Sequence, residues 1–246
     1  MRTLILALLC SLNLGIHAET LKIATGEYPP WTTESEPHHG YINQIVEQAF
    51  KLEGIEVEFH FMPWKRALEA TRIGQYHASS YWGESVERQE EFYLSDVLNT
   101  EPFVFFYRKS LSSLSWQSLS DLAPYAIGAT RGYTYTEAFW TMANEDKLRI
   151  SVVDDDMDNL QRLVDGQIDL FPISRATGQY LLEKHFTPEQ SDSIDVHPQP
   201  INTNRDYILF SRNIPGNEQN VQAFNRGLAK LQQSDKIRQL RKAILK

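Results

Sequence analysis

One structural unit occurs twice in this chain. The segments ALEATRIGQYHASSYW, at 67–82, and NLQRLVDGQIDLFPIS, at 159–174, each run from a helix-like apolar pattern through Gly-Gln into an apolar stretch. Each is preceded by a strand-like run, EVEFHF at 56–61 and ISVVDD at 150–155. A strand–helix–strand unit used twice predicts two α/β lobes of similar build. Because small ligands bind most often in clefts, the repeat also predicts a ligand-binding cleft between the lobes.

The first 18 residues have the features of an export signal. Arg2 supplies a positive start, LILALLCSLNLGI is an apolar stretch too short to span a bilayer, and Ala18 suits the position before cleavage. Leu9 stands before Cys10 where a lipidation site needs a small side chain, which argues against a lipoprotein. Cleavage after Ala18 removes the one cysteine, so we expect a periplasmic mature protein without disulfides.

Composition limits the classes of partner. With 246 residues, 41% hydrophobic and 23% charged, the chain is typical of a soluble globular protein with room for one large or two small domains. Cleavage of the signal removes Arg2. The mature chain then has 23 of the 24 basic residues of the full chain and all 32 acidic ones, which gives a formal charge of −9. This acidic balance argues against nucleic acid and against a membrane surface as partners.

The first half of the mature chain alternates strand and helix patterns. LKIAT, at 21–25, predicts a strand, and the loop at 26–40 is rich in Pro, Gly and aromatic residues. Loops at strand ends in α/β folds are common places for ligands. Apolar residues at helical spacing predict an amphipathic helix over 41–52. FVFFY, at 103–107, is the most apolar run and predicts a buried strand.

The second half repeats this order. AIGAT, at 126–130, predicts a strand, and GYTYT, at 132–136, opens a helix. A polar stretch with three prolines, 187–206, precedes YILF at 207–210, a strand that mirrors FVFFY. From 217 onward, apolar residues at helical spacing predict two amphipathic helices.

These patterns predict a division into lobes. If FVFFY leaves the first lobe and YILF returns to it, two segments connect the lobes and form a hinge. We therefore expect a signal peptide at 1–18, a discontinuous first lobe at 19–108 plus 207–246, and a second lobe at 109–206. The expected fold class is α/β, with two lobes joined by a two-strand hinge.

Five motifs carry a family likeness. They are YPPW at 28–31, GYINQI at 40–45, W-x-x-x-L followed by the Gly-Gln unit at 64–75, S-V-E-R-x-x-x-F-x-x-S at 85–95, and GYT followed by GQID at 166–169. Because these motifs occur in this order, the mature chain resembles, over nearly its whole length, the family 3 (amino-acid type) periplasmic solute-binding proteins of ABC transporters. The resemblance implies the type II periplasmic-binding-protein fold, closure on a small ligand, and delivery to a membrane partner.

The resemblance also implies binding residues. The aromatic before Pro-Pro stacks on ligand in the family, and Tyr28 stands there. Arg88, which ends the S-V-E-R run, corresponds to the Arg that grips a ligand carboxylate, and Thr134 and its neighbours correspond to the groups that complete that grip. Physical chemistry agrees, because the guanidinium fork matches a carboxylate and the amides near a helix start favour anions.

Some positions depart from the family pattern. Ser174 stands where the family usually holds a ligand ammonium with Asp, and His77 stands where Asp is usual. An ammonium would then need Glu84, Glu27 or the face of Trp82. Alternatively the ligand carries no ammonium and is a carboxylate or another polar metabolite.

The remaining candidates follow from position. The predicted ligand-binding set is Tyr28, Trp31, Arg66, Tyr81, Trp82, Glu84, Arg88, Thr134, Tyr135 and Ser174. Core packing is the competing interpretation for the aromatic members, and a surface ion pair is the competing one for Arg88. His38 and His39 lack further ligands at useful spacing, and the acidic run at 154–158 lacks the Gly and closing Glu of a calcium loop, so we expect neither metal nor cofactor.

Three functions compete. The leading hypothesis is a non-catalytic binding protein that closes on a small carboxylate-bearing solute, an amino acid or a relative, and delivers it to an ABC-type permease. The second is a dehydratase-like periplasmic enzyme with Glu84 or Glu27 as general acid, because an acid in an apolar cleft can have a raised pKa. The third is a ligand sensor for a membrane receptor. A monomer is the expected state.

Overall fold

A computed structural model describes residues 20–111 and 114–244, and the predicted signal peptide lies outside them. The strands are β1 (Leu21–Thr25), β2 (Val57–Phe61), β3 (Ala78–Gly83), β4 (Phe92–Leu94), β5 (Asn99–Arg108), β6 (Ala126–Thr130), β7 (Arg149–Val153), β8 (Leu170–Ser174) and β9 (Ile194–Ser211). The helices are α1 (Tyr41–Lys51), α2 (Trp64–Arg72), α3 (Val86–Glu91), α4 (Glu137–Asn144), α5 (Asp156–Val164), α6 (Arg175–His185), α7 (Pro188–Asp192), α8 (Asn217–Gln233) and α9 (Lys236–Ile244).

In the described part of the chain, nine strands form one sheet. Its order is β2-β1-β3-β9-β5-β8-β6-β7, and β4 pairs with β9. The outer pairs of each half are parallel, whereas β3, β5, β8 and β9 meet antiparallel in the middle. With helices packed on the sheet, the expected α/β fold class is confirmed.

The sequence repeat is a structural repeat. In one half β1 lies between β2 and β3, and in the other β6 lies between β7 and β8, so the chain order is the same. Gly74 (φ +79°) and Gly166 (φ +75°) end the two repeated helices in the left-handed conformation that glycine adopts without strain. After each, the backbone N–H of Gln75 or Gln167 donates to the carbonyl five residues earlier, at 2.9 and 2.8 Å. The repeated motif is therefore a helix terminus used twice.

Two long strands run through both halves. β9 pairs with β3 through Asp206–Phe210 and with β5 through Ile194–Asp206. FVFFY, which we expected at the end of the first lobe, pairs with β8 of the second half. The polar stretch at 187–206 contains α7 and most of β9, from Ile194 to Asp206. The lobe boundaries at 108 and 207 stay predictions.

The C-terminal helices pack on the first half. The rings of Phe50, on α1, and Phe224, on α8, lie 5.3 Å apart. Gly227 allows this approach, since a Cβ there would lie 2.0 Å from the Ala49 carbonyl oxygen. The second half has its own apolar cluster around Phe106, between β5, β8 and α5. In residues 20–111 and 114–244, no helix is long and apolar enough to cross a membrane.

Candidate functional site

The two halves meet where loops leave the strand ends. The ring of Tyr28, after β1, lies 6.1 Å from that of Tyr133, after β6, and 6.3 Å from that of Tyr81, at the end of β3. The Trp31 indole N–H points at the Ser174 hydroxyl across the cleft, at 3.4 Å. These contacts join residues of the two halves of the sheet, so the two halves touch at this point.

The mouth of the cleft has a polar contact of its own. Glu36 Oε1, in the loop before α1, accepts hydrogen bonds from the Tyr180 hydroxyl at 2.9 Å and from Lys184 Nζ at 2.8 Å. Both partners lie on α6 of the second half, and Lys184 also donates to Tyr180. We refer to Glu36, Tyr180 and Lys184 as the mouth contact. Its hydrogen bonds lower the pKa of Glu36.

Arg88 is held with its guanidinium facing the cleft. The Ser85 side chain caps α3 by accepting from the backbone N–H of Arg88 at 3.2 Å. Arg88 Nη1 donates to the Gly83 carbonyl at 2.6 Å, and the guanidinium carbon lies 4.9 Å from the centre of the Trp82 ring. Burial lowers the pKa of Arg88, while Glu87 and Asp206 oppose this change. The side chain is therefore a partly desolvated cation held by an aromatic face.

Gly83 marks the point where the two halves converge. A Cβ placed there would lie 3.6 Å from Thr134 Oγ1, which belongs to the second half. It would also lie 3.9 Å from Arg88 Nη1 and 3.9 Å from Asp206 Oδ1. A guanidinium, a hydroxyl and a carboxylate thus face one position from three elements, and the missing side chain at 83 leaves space between them.

Two buried acids at this position were not foreseen from the sequence. Glu101, on β5, and Asp206, on β9, are each 3% exposed. The Tyr81 hydroxyl donates to Glu101 Oε1 at 3.1 Å and accepts from Asn99 Nδ2 at 2.7 Å. Glu101 Oε2 and Asp206 Oδ2 have no hydrogen-bond partner in the described part of the chain. Buried acceptors are nearly always satisfied, so these two indicate a missing partner.

The environment of both acids disfavours their charge. Burial, and secondarily the negative charge of Asp206, raise the pKa of Glu101, against the hydrogen-bonding influence of Ser174, Tyr81 and Trp31. Burial also raises the pKa of Asp206, against Tyr81 and the positive charge of Arg88. Two carboxylates in one buried site cannot both ionise easily, so the pair holds a proton near neutral pH.

The second half contributes neutral groups and one engaged acid. The Tyr133 hydroxyl and the Thr130 hydroxyl both donate to Asp156, at 2.6 Å each. Burial raises the pKa of Asp156 to about 6 despite these hydrogen bonds. Tyr135 lies behind this wall, where its hydroxyl accepts from the Thr130 backbone N–H at 2.9 Å and its carbonyl accepts from Asn202 at 2.6 Å. Through these two hydrogen bonds Tyr135 supports the neighbouring strands at Thr130 and Asn202.

The structure brings most of the predicted site residues together. Those that meet at or beside the cleft are Tyr28, Trp31, Tyr81, Trp82, Arg88, Thr134, Tyr135 and Ser174.

Three other sequence candidates lie apart from this group. Glu84 is exposed and accepts from Gln89 at 2.8 Å and from the Tyr207 hydroxyl at 3.2 Å. Arg66 is exposed in the first turn of α2, and the Glu27 carboxylate accepts from the Glu34 backbone N–H at 2.8 Å. The acids proposed from sequence for an ammonium are thus engaged at the surface.

A sequence signal for the missed acids does exist. Glu101 stands two residues before FVFFY, and Asp206 stands directly before YILF. Each of these two apolar runs is therefore preceded by one acid, although only the strand register, which pairs Asn99 with Asp206, shows that the two acids lie on the same face.

The fold and the interlobe site define a two-lobed α/β binding protein. Residues 21–246 match the family described as bacterial extracellular solute-binding proteins, family 3, and the chain belongs to that family. The resemblance stated from the sequence motifs is thereby confirmed. A search of curated proteins found no match.

Solved structures agree on the fold. A histidine kinase sensor domain similar to periplasmic binding proteins has a TM-score of 0.78 at 17% identity, over 92% of this chain and 96% of that one. An ancestral arginine-binding protein with bound arginine has 0.76 at 17%, over 92% and 98%. The ancestral amino-acid-binding protein AncCDT-1, a precursor of cyclohexadienyl dehydratase, has 0.72 at 17%, over 92% and 95%. At this identity the likeness concerns the fold.

Proposed function

We propose that this protein is a non-catalytic periplasmic binding protein whose lobes close on a small carboxylate-bearing solute, an amino acid or a relative. The observation that carries the proposal is the convergence at Gly83, where Arg88 and Thr134 face one position from opposite lobes. A guanidinium binds a carboxylate through two parallel hydrogen bonds, and a hydroxyl can donate a third.

Closure follows if the solute touches both lobes. A ligand shifts an equilibrium between open and closed forms only by its difference in affinity for the two. A carboxylate held by Arg88 alone would bind both forms equally, whereas one that also reaches Thr134 favours the closed form. The apolar and hydroxyl contacts across the cleft, such as Trp31 with Ser174, then form at little extra cost.

The location and partners follow from the sequence and the family. An export signal at 1–18 and a mature chain without cysteine suit the periplasm. The closed form would deliver its solute to an ABC-type permease in the inner membrane. A sensor receptor is the second candidate partner, supported by the fold likeness to a histidine kinase sensor domain.

Substitution of Arg88 tests whether its guanidinium binds the carboxylate of the solute. In Arg88→Ala, solutes that raise the melting temperature of the wild type should lose affinity by roughly thirtyfold or more, because a buried charged partner is removed. The ligand-free melting temperature should fall by only about a few degrees, because the hydrogen bond to the Gly83 carbonyl and the contact with the Trp82 ring are lost. Arg149→Ala, an exposed Arg at the far end of the sheet, is the matched control. A large fall in ligand-free stability with unchanged affinity would make Arg88 structural and refute the proposal.

The enzymatic alternative has one observation in its favour. Glu101 is a buried acid of raised pKa in the cleft, the property required of a general acid, and a dehydratase precursor shares the fold. Incubation of the purified protein with prephenate-like acids, followed by mass spectrometry, separates the two functions. Binding without any product supports the binding protein, and turnover that is lost in Glu101→Gln supports the enzyme.

A further inference from the structure

Glu101 and Asp206 face the same side of the two hinge strands. Side chains alternate along a strand, so Asn99 and Glu101 share one face of β5. Asp206 is the register partner of Asn99 on β9 and therefore lies on that face as well. The Tyr81 hydroxyl donates to Glu101 and accepts from Asn99, the register partner of Asp206, and Tyr81 also acts to lower the pKa of Asp206.

Three buried oxygen atoms in this region await a partner. Glu101 Oε2, Asp206 Oδ2 and the Tyr28 hydroxyl have no hydrogen bond to any described residue, and all three side chains are at least nine-tenths buried. Neighbours approach these groups without hydrogen-bond geometry: Thr177 approaches the Tyr28 hydroxyl, Ser174 and Trp31 approach Glu101, and Tyr81 approaches Asp206. Ionised carboxylates only accept hydrogen bonds, so the partner that Glu101 Oε2 and Asp206 Oδ2 lack is a donor, either the proton that the pair shares without ligand or the N–H groups of a bound cation.

The charges around the acid pair do not balance it. Arg88, from α3, is the cation that acts on Asp206. Tyr81, from β3, and Tyr28, from the loop after β1, are buried phenols whose raised pKa values keep them neutral, and Asp156, from α5, is an acid that acts on Tyr28. Arg88 therefore offsets the charge of Asp206 only, Glu101 has no cation acting on it, and a ligand carboxylate would occupy the guanidinium of Arg88.

We propose that Glu101 and Asp206 form a subsite for a positively charged nitrogen of the solute, which takes the place of a proton held by the pair. The ligand class is then a small carboxylate with a neighbouring ammonium or guanidinium. This inference rests on the proposed function for the carboxylate. It also explains how an ammonium could be bound although Ser174 stands where the family usually has Asp, because Glu101 and Asp206 on the hinge strands supply the negative charge instead.

The exchange conserves charge. In the ligand-free protein the pair shares one proton, and the incoming cation makes ionisation of both carboxylates favourable. The carboxyl O–H bond breaks, the proton goes to solvent, and the N–H groups of the cation donate to the freed oxygens. A metal ion is the less suitable occupant, because the described residues contain no group of three or more acidic, His or Cys side chains able to hold one.

Matched solutes test the subsite by thermal shift. The pairs are L-glutamate with glutarate, L-phenylalanine with hydrocinnamate, and L-leucine with isocaproate, run beside the other proteinogenic amino acids and putrescine. We expect stabilisation by at least one amino acid and at least about tenfold weaker binding of its des-amino partner. Equal or tighter binding of the des-amino acid would overturn the subsite but leave the Arg88 grip intact.

The other outcomes are also decisive. Stabilisation by putrescine alone would support the cation subsite and contradict the carboxylate grip. No stabilisation by any member of the panel would count against both proposals.

Substitution and proton counting locate the effect. Asp206→Asn and Glu101→Gln should weaken binding of the amino acid by about tenfold or more and leave binding of its des-amino partner unchanged or tighter. Glu90→Gln, an exposed acid on α3, is the control.

Titration calorimetry of the amino acid into the wild type, in phosphate and in Tris at neutral pH, should show net proton release as a difference in binding enthalpy between the two buffers. This difference should disappear in Glu101→Gln. Unchanged affinity in both acid variants, or no proton release by the wild type, would refute the exchange.

Discussion

The two faces of the cleft differ in charge. The first-lobe and hinge-strand face has one guanidinium and two buried carboxylates, whereas the second-lobe face has the hydroxyls of Thr134 and Ser174 and the ring of Tyr133, whose hydroxyl is bonded to Asp156. The acid of the second face, Asp156, already accepts two hydrogen bonds. From this contrast we propose that the charged face selects the solute and that the hydroxyl face responds to it by closing.

Filling the space at Gly83 is the strongest way to break this comparison. In Gly83→Ala the new Cβ makes only ordinary contacts with Thr134 and Arg88, so the ligand-free protein should fold normally. The methyl group occupies the position where both faces meet the solute, so affinity should fall by roughly tenfold to a hundredfold. Titration calorimetry with an amino acid that stabilises the wild type measures this change in affinity. Unchanged affinity would place the solute elsewhere.

Removing the hydroxyl at 134 tests the second face alone. Thr134→Ala should weaken binding by about two- to tenfold, the range of a neutral hydrogen bond, which is less than the loss in Arg88→Ala. Thr134→Ser keeps the hydroxyl and should bind like the wild type. An effect of Thr134→Ala as large as that of Arg88→Ala would contradict the division of roles between the faces.

The acid pair predicts the pH dependence of the ligand-free protein. The folded-state pKa of Glu101 is raised, so its contribution to stability is fully present below the unfolded pKa of about 4.3 and is lost as pH rises through the folded value. The melting temperature should therefore fall by a few degrees from about pH 5 to about pH 8, and Glu101→Gln should reduce this fall. A steeper fall in the variant would contradict the assignment.

The mouth contact should have the smallest effect. It is exposed, so Glu36→Gln should weaken ligand binding only about twofold, and less at high salt. Glu34→Gln, in the same loop, is the control. A loss as large as that caused by Thr134→Ala would show that closure depends on the mouth rather than on the centre of the cleft.

Much of the fold was predictable from local patterns. LKIAT and AIGAT are strands with the predicted bounds, and the helix patterns after 41 and 217 correspond to α1, α8 and α9. The repeat gave the shared topology because Gly74 and Gly166 end equivalent helices. β9 was recognised only from 207, because Pro198 and Pro200 lie in its first half, where the pairing with β5 changes register.

The site was harder to predict because its charged part depends on register. Family motifs predicted Tyr28, Arg88 and Thr134 as ligand contacts, because these residues stand in local patterns. Glu101 and Asp206 are far apart in the sequence, and only the pairing of β5 with β9 brings them to one face. The acids inferred for an ammonium, Glu84 and Glu27, were chosen by nearness to motifs, and they bond to surface neighbours instead.

The distance between the lobes reports directly whether they close on a solute. The mature chain is expected to lack cysteine, so spin labels at Arg66→Cys on α2 and Glu183→Cys on α6, both exposed positions, report one distance. We expect this distance to shorten when a stabilising solute is added to the labelled protein. In the labelled protein that also carries Arg88→Ala, addition of the same solute should leave the distance unchanged. An unchanged distance in the protein with Arg88 intact, at saturating solute, would contradict closure.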